Sequence, residues 1–466
     1  MINFLLLKMN YMNYIPYENS IPSNNNSPII IEIIPTFLPF NALLYLNTMD
    51  TKFNLIRIDE NQKQYFHIYF NDLTEEVGRN YFTNYDRTGV KKVKVVIAPQ
   101  VTSLSNLFAG SQCIESVNFK NKCGSNITKI DGMFDGCSSL KEVNFSNFDT
   151  SNVIDMNNLF NGCTILKYIN FTNFNTSKVT NMKSMFSDCF TLKELDLSNF
   201  DTSKVTDMSC MFFRCNYLLK LNISNFNSIN VSNMEMMFFN CSSFEELNVS
   251  HFNTSNVTNM SAMFSGCSKL KELNVSNFNT EKVTNMKSMF MDCKLLKEIN
   301  VSNFNTQKTT DMSFMFCNCS SLKELNLSNF NTYNVTKMTM MFSGCSSLLK
   351  LNMSKFNTEN VLMMNEMFAN CKSFIRINLL NFNTSNVFDM GYMFYNCEHL
   401  RELYISNFNT INVTNMKKMF GKCPELKELN LSNFIINNSC VIEEMFEGCS
   451  NDLKNKISNQ NKRIKV

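Results

Sequence analysis

The sequence predicts an α/β solenoid of about fourteen stacked 26-residue coils, each a short parallel strand followed by a helical or 3₁₀ segment. Three observations carry this. Cys137, Cys163, Cys189, Cys215, Cys241, Cys267, Cys293, Cys319, Cys345, Cys371, Cys397, Cys423 and Cys449 recur every 26 residues, with Ser111 in the same place one step earlier. A Phe stands three residues before each, from Phe108 to Phe446. A second Phe series, Phe148 to Phe434, keeps the same step without an insertion. A solenoid of this kind grows by adding coils, so 466 residues need not be divided into globular domains.

The chain starts with a polar, Asn-rich stretch, residues 1–28, expected to be flexible. Its apolar run Phe4–Leu7 has no basic lead and no small-residue cleavage site, so the residues predict no signal peptide. Residues 29–88 do not follow the period and read as a small mixed cap over the first coil's edge. Within them Ile29–Ile34, Phe53–Ile58 and Tyr65–Phe70 read as strands, and Phe37–Asn47 is apolar without a clear period.

Residues 89–453 are the solenoid, with Val93–Val96 expected as the strand of the first coil. One unit shows the logic. Leu325 and Leu327 alternate as a strand with one buried face. Asn329-Phe330-Asn331-Thr332 is turn-prone, because Asn and Thr side chains bond their own backbone. Val335, Met338, Met341, Phe342 and Cys345 are spaced by three and four, the stripe of a helical or 3₁₀ segment. A single coil covers little of this apolar surface, so neighbours must supply both the cover and the strand pairing. Residues 454–466 read as a basic tail.

The unit Leu322–Ser347 is similar to the repeat of the BspA-like leucine-rich-repeat surface proteins. The phrase from Asn253-Thr254-Ser255-Asn256-Val257-Thr258 through Met263-Phe264 to Cys267 recurs in coil after coil. The resemblance implies a leucine-rich-repeat-type fold, display on a cell surface, and adhesion to host or matrix proteins.

Composition removes several function classes. The net charge is +3 with no basic cluster before residue 454, which does not suit nucleic acid binding. No run of 18 apolar residues could span a bilayer. No Gly-rich phosphate loop or paired catalytic carboxylates occur, and no metal or cofactor is expected. The cysteine series reads as small buried hydrophobes, while Cys113, Cys123, Cys210 and Cys440 lie off it. His399 is two residues from Cys397, but that Cys belongs to the inward series, so catalysis there is not expected.

The outward strand face remains as the candidate ligand face. With Leu325 and Leu327 inward, residues 324, 326 and 328 point outward. The middle position is almost uniform, with Asn248, Asn274, Asn300 and Asn326 its most regular part, while Tyr168, Arg376, Leu380 and Tyr404 break the uniformity. Two readings stand beside each other: Asn side chains that bond one another along the sheet, and a repetitive surface for a protein or glycan ligand. Asn326-Leu327-Ser328, Asn256-Val257-Thr258 and Asn412-Val413-Thr414 also fit the N-glycosylation pattern. The sequence reading is a monomeric, non-enzymatic binding scaffold; the alternative is an intracellular adaptor docking one partner through residues 1–88 and another through the solenoid.

Overall fold

The structure is a computed structural model that describes residues 27–36, 52–87, 89–122 and 124–464. The flexible stretch expected at 1–28 and the apolar segment 37–47 fall outside the described residues, apart from Ser27, Pro28 and the strand that follows.

The N-terminal strands are β1 (Ile29–Pro35), β2 (Phe53–Asn54), β3 (Phe66–Phe70), β4 (Tyr81–Phe82) and β5 (Val93–Ile97). They are followed by β6 (Ile114–Phe119), β7 (Glu142–Asn144) and β8 (Tyr168–Asn170). One sheet runs in the order β3-β5-β1-β6-β7-β8. The expected first-coil strand, Val93–Val96, does not stack in parallel on its successor. Strand β1 is inserted between β5 and β6 and pairs antiparallel with both. The reason is apolar cover: Ile29, Ile31 and Ile33 bury fully in that gap, against Val93, Val95 and Ile97. The first coil's edge is thus sealed by a strand from the chain start.

Beyond β6 the fold is a leucine-rich-repeat-type solenoid. Its remaining strands are β9 (Glu194–Asp196), β10 (Lys220–Asn222), β11 (Glu324–Asn326), β12 (Lys350–Asn352), β13 (Arg376–Asn378), β14 (Glu402–Tyr404) and β15 (Glu428–Leu429). The chain completes about twelve turns, fewer than the expected fourteen. The Phe and Ser/Cys columns hold fourteen copies, but β5 is diverted into the antiparallel sheet and the chain turns into a helix before another strand can form.

The expected helical segment is a second correction. Residues 338–345 are a run of turns, because each repeat carries two left-handed residues four apart. One column runs from Asn106 through Met340 (φ 52°) to Glu444, the other from Gly110 through Gly344 (φ 74°) to Gly448. A right-handed helix cannot pass through positive φ. The turns close locally, with Met341 N–H on the Met338 carbonyl and Cys345 N–H on that of Phe342, both near three residues apart. The amides of Met338, Met340, Phe342 and Gly344 instead donate to the next coil, to the carbonyls of Met363, Asn365, Met367 and Ala369 at 2.8–3.1 Å. Just before this stretch, parallel bridges link successive coils from Ser103 to Val441 without a break. The strand side is less regular. Between β10 and β11, among the described residues, Glu246↔Glu272 is its one recorded bridge. Coil pitch is therefore set on the turn side.

The interior is a set of columns. Phe108 to Phe446 stack ring on ring, 5.3–6.0 Å between centroids. Met338, Met341, Val335 and their counterparts in the central coils fill the space around them, buried from solvent. A buried polar column lies beside them: Thr332 Oγ1 donates to the Asn357 carbonyl (2.7 Å) and accepts from Asn357 N–H (2.8 Å). Thr358 and Thr384 repeat this one coil on.

The stretch expected as a basic tail closes the last coil. Helix α1 (Asn451–Gln460) is N-capped by Ser450 and buries Leu453 and Ile457. The Gln460 side-chain amide accepts from Leu431 N–H (3.1 Å) and donates to the Leu429 carbonyl (3.3 Å), as the peptide of a further strand would. Asn461 Nδ2 donates to the carbonyls of Leu431 and Phe434, repeating what Asn407 does for Leu379 and Phe382. Polar groups that another coil would have satisfied are thereby paired.

Candidate ligand-binding face

Strands β7 to β14 are three residues long, with the middle one inward. Asn ends β11 and starts a turn, and Asn248, Asn274 and Asn300 start the same turn in coils between β10 and β11, where no strand forms. Asn326 Oδ1 accepts from Ser328 N–H (3.1 Å), Asn300 Oδ1 from Ser302 N–H (3.0 Å), and Asn248 and Asn274 do the same with Ser250 and Ser276 (both 3.1 Å). These are Asx turns within one coil. The expected bonding of one Asn to the next is replaced, at these four, by bonding of each to its own backbone. All four side chains are exposed.

The structure brings two of the singled-out residues together. Arg376 lies against Glu402 of the next coil, with Nε–Oε2 at 2.7 Å and Nη2–Oε1 at 3.0 Å. Tyr404 donates its hydroxyl to Glu402 Oε2 (2.6 Å), and its ring faces the Arg376 guanidinium at 6.0 Å. Hydrogen bonds from Arg376, then from Tyr404, hold the Glu402 carboxyl below its ordinary range, and the Glu402 bond pushes the Tyr404 hydroxyl up. Glu402 was not singled out from sequence, because one Glu per coil looks uniform. Neither were Leu349 and Ile375, stacked in adjacent coils at 56% and 54% exposure where most coils carry Lys. Leu380, 49% exposed, lies past the other end of β13, in the turn after Asn378. Tyr168, 58% exposed, lies in a distant coil. It borders a shallow groove across β8–β10 with Lys193, Glu194, Asp196 and Asn222. Flanking charges pair between coils, as in Lys271–Glu245 and Lys350–Glu324 at 2.6 Å, and contribute little to stability at such exposure.

The cysteine column has a role beyond filling space. Every ladder thiol donates to the carbonyl of the Phe 29 residues earlier, at 3.0–3.3 Å, from Cys137 on Phe108 to Cys449 on Phe420. Ser111, with no coil before it, turns its hydroxyl to the Asn54 carbonyl (2.9 Å). Burial pushes the Cys267 thiol up to about 12. Of the cysteines off the ladder, Cys113 and Cys317 are buried, Cys210 and Cys440 are half-buried, and Cys123 lies outside the described residues.

His399 and Cys397 are separated. The thiol is committed to Phe368 inside the column, while His399 Nδ1 lies 2.9 Å from Glu425 on the surface. Among the described residues no three His, Cys, Asp or Glu are placed to hold a metal, and no helix is long and apolar enough to cross a membrane.

Several solved structures align with the chain. A leucine-rich cell surface protein from Faecalibacterium prausnitzii shares 17% identity over 74% of this chain and 85% of its own, with a TM-score of 0.42. A leucine-rich-repeat protein from Eubacterium ventriosum shares 17% over 60% and 82%, at 0.33. The functional domain of InlJ from Listeria monocytogenes, described as including a cysteine ladder, shares 14% over 72% of each chain, at 0.19. No curated protein matches the sequence. The family described as Mycoplasma protein of unknown function, DUF285, matches in four overlapping segments, residues 102–218, 190–298, 293–397 and 375–464. Those segments take in nearly the whole solenoid and its closing helix, and the chain belongs to the DUF285 family.

Proposed function

We infer that the protein is a non-enzymatic repeat scaffold, displayed on a cell surface or secreted, that mediates adhesion or host interaction by binding a protein or glycan on its strand face. The observation that supports this most is the Arg376–Glu402–Tyr404 cluster with exposed Ile375 next to it in the chain. Tyr and Arg are among the residue types that carry most of the energy at binding interfaces. The likeness of the repeat to BspA-like surface proteins supports the location. Solenoids serve by presenting extended surfaces, which fits a monomer.

The test is to label unpermeabilised cells with an antibody to the solenoid, and to compare adhesion by the natural protein with an Arg376→Ala/Tyr404→Ala variant. Surface labelling and loss of adhesion in the variant are expected. No labelling, with the protein recovered only from cytosol, would turn the reading to an intracellular adaptor. The reduced thiol column favours that alternative, since free thiols persist in reducing compartments. The adaptor would have to work as a whole chain, because β1 is part of the solenoid's own sheet.

A further inference from the structure

We propose that the central coils, residues 246–324, are a hinge: the two halves of the solenoid bend against each other about the turn side, and stacked carboxylates keep the strand side open. The inference concerns how the strand face moves and holds whatever that face binds.

The first observation is an asymmetry between the two sides of these coils. On the turn side the bridges Asn233↔Asn259↔Asn285↔Asp311↔Lys337 run without a gap. The amides of Met260, Ala262, Phe264 and Gly266 donate to the carbonyls of Asn285, Lys287, Met289 and Met291 at 2.7–3.2 Å. The rings of Phe238, Phe264, Phe290 and Phe316 stack behind them. The strand side lacks this continuity. β9 pairs with β10 and β11 with β12, and between these pairs, among the described residues, Glu246↔Glu272 is the one bridge.

The backbone bonds show the same loosening. Leu219 N–H donates to the Lys193 carbonyl and Leu349 N–H to that of Lys323, both at 2.8 Å. The equivalent bond is 3.2 Å for Lys271 on Glu245 and 3.5 Å for Lys297 on Lys271, the limit of hydrogen bonding. Leu197 N–H reaches the Asn222 carbonyl and Leu327 N–H that of Asn352, both at 2.9 Å. Among the described residues, the matching amides of Val249, Val275 and Val301 have no such bond to the next coil. A stack joined firmly along one edge and loosely along the other bends about the firm edge.

The second observation supplies the cause. Where coils pair well, the residues that open neighbouring strands carry opposite charge: Glu194–Lys220 (2.7 Å), Glu324–Lys350 (2.6 Å) and Arg376–Glu402 (2.7 Å). In the central coils the same column reads Glu246, Glu272, Glu298, Glu324, all exposed. Like charges opposite each other disfavour strand pairing. Among the described residues no ion pair reaches the first three; Lys271, beside Glu272, is held by Glu245 (2.6 Å). The gap between β12 and β13 likewise sets Lys350 against Arg376. Glu402 and Glu428 do pair, because Arg376 and Lys456 (3.8 Å) offset their charge. The gaps after β8 and β10 join no like charges, so the proposal is confined to the glutamate column.

The experiment is residue-resolved hydrogen exchange of the full-length protein beside Glu298→Lys, which makes charge alternate down the column. In the natural protein the amides of Val275 and Val301 are expected to exchange about tenfold faster than those of Leu197 and Leu327. In Glu298→Lys they slow about tenfold, while Val249, at a step that excludes residue 298, stays fast. Glu359→Lys makes the same charge change outside the column and is expected to alter none of the three. Small-angle scattering reads the bending. In 1 M sodium chloride, where the screening length is about 3 Å, the radius of gyration shifts in the natural protein and in Glu359→Lys but not in Glu298→Lys. Equal exchange of the two amide sets in the natural protein overturns the proposal. So does exchange at Val275 and Val301 that Glu298→Lys leaves fast, or that Glu359→Lys slows equally, and so does a natural protein whose dimensions ignore salt.

Discussion

Raising the pH from 7.5 to 9.5 will destabilise this protein far more than its modest net charge suggests. Burial pushes eleven of the ladder thiols above their ordinary range, and at Cys423 the neighbouring Cys397 thiol does so first, with burial after it. In the folded state these thiols stay protonated; Cys267 and Cys449 give up their protons only near about 12. In the unfolded chain a thiol ionises near about 8.5. Because the folded value is the higher one, the stability each thiol contributes is complete below about 8.5 and is lost as pH climbs towards the folded value. At pH 9.5 the loss is about 1.4 kcal/mol per thiol, roughly 17 kcal/mol over twelve thiols if the solenoid unfolds as a unit. The assay is urea unfolding followed by circular dichroism at pH 7.5, 8.5 and 9.5, with a reductant present throughout. A Cys241→Ser/Cys267→Ser/Cys293→Ser variant supplies the control, since a hydroxyl can donate as Ser111 does and does not titrate in this range. Its loss between pH 7.5 and 9.5 should be smaller by about 4 kcal/mol, from three fewer titrating groups. A midpoint that does not move with pH, or a variant that falls as steeply as the natural protein, would refute the reasoning.

Other expectations follow from the same contacts. Thr332→Val keeps the shape but leaves Asn357 N–H and C=O without their hydroxyl, and should cost about 2–3 kcal/mol by denaturant titration. Cys345→Ser should retain most of the stability by donating to the Phe316 carbonyl, whereas Cys345→Ala loses the donor and leaves a small cavity, costing about 1–3 kcal/mol. Leu453→Ala should loosen the closing helix by about 3 kcal/mol and speed amide exchange in Glu428–Phe446 before the central coils respond.

What the sequence settled by itself is the period and the interior. Apolar spacing is a local property, and Phe342, Met338 and Cys345 fall inward wherever a 26-residue unit repeats. The same spacing misled on secondary structure. Steps of three and four fit a helix, but they also fit successive turns punctuated by left-handed residues. The Gly, Asn or Asp before most ladder cysteines, such as Gly344 before Cys345, was the available sign; the other left-handed column carries it only at Asn106, Gly132 and Asn158, and then runs through residues such as Phe314, Met340 and Glu366. Which polar groups meet was decided only by stacking. The Cys345 thiol and Phe316 carbonyl, or Arg376, Glu402 and Tyr404, lie a coil apart in sequence, and their contact depends on register between coils. The ends were beyond sequence for the same reason: β1 and Gln460 complete edges that exist only after the coils have assembled, so no periodicity within either segment could announce the role.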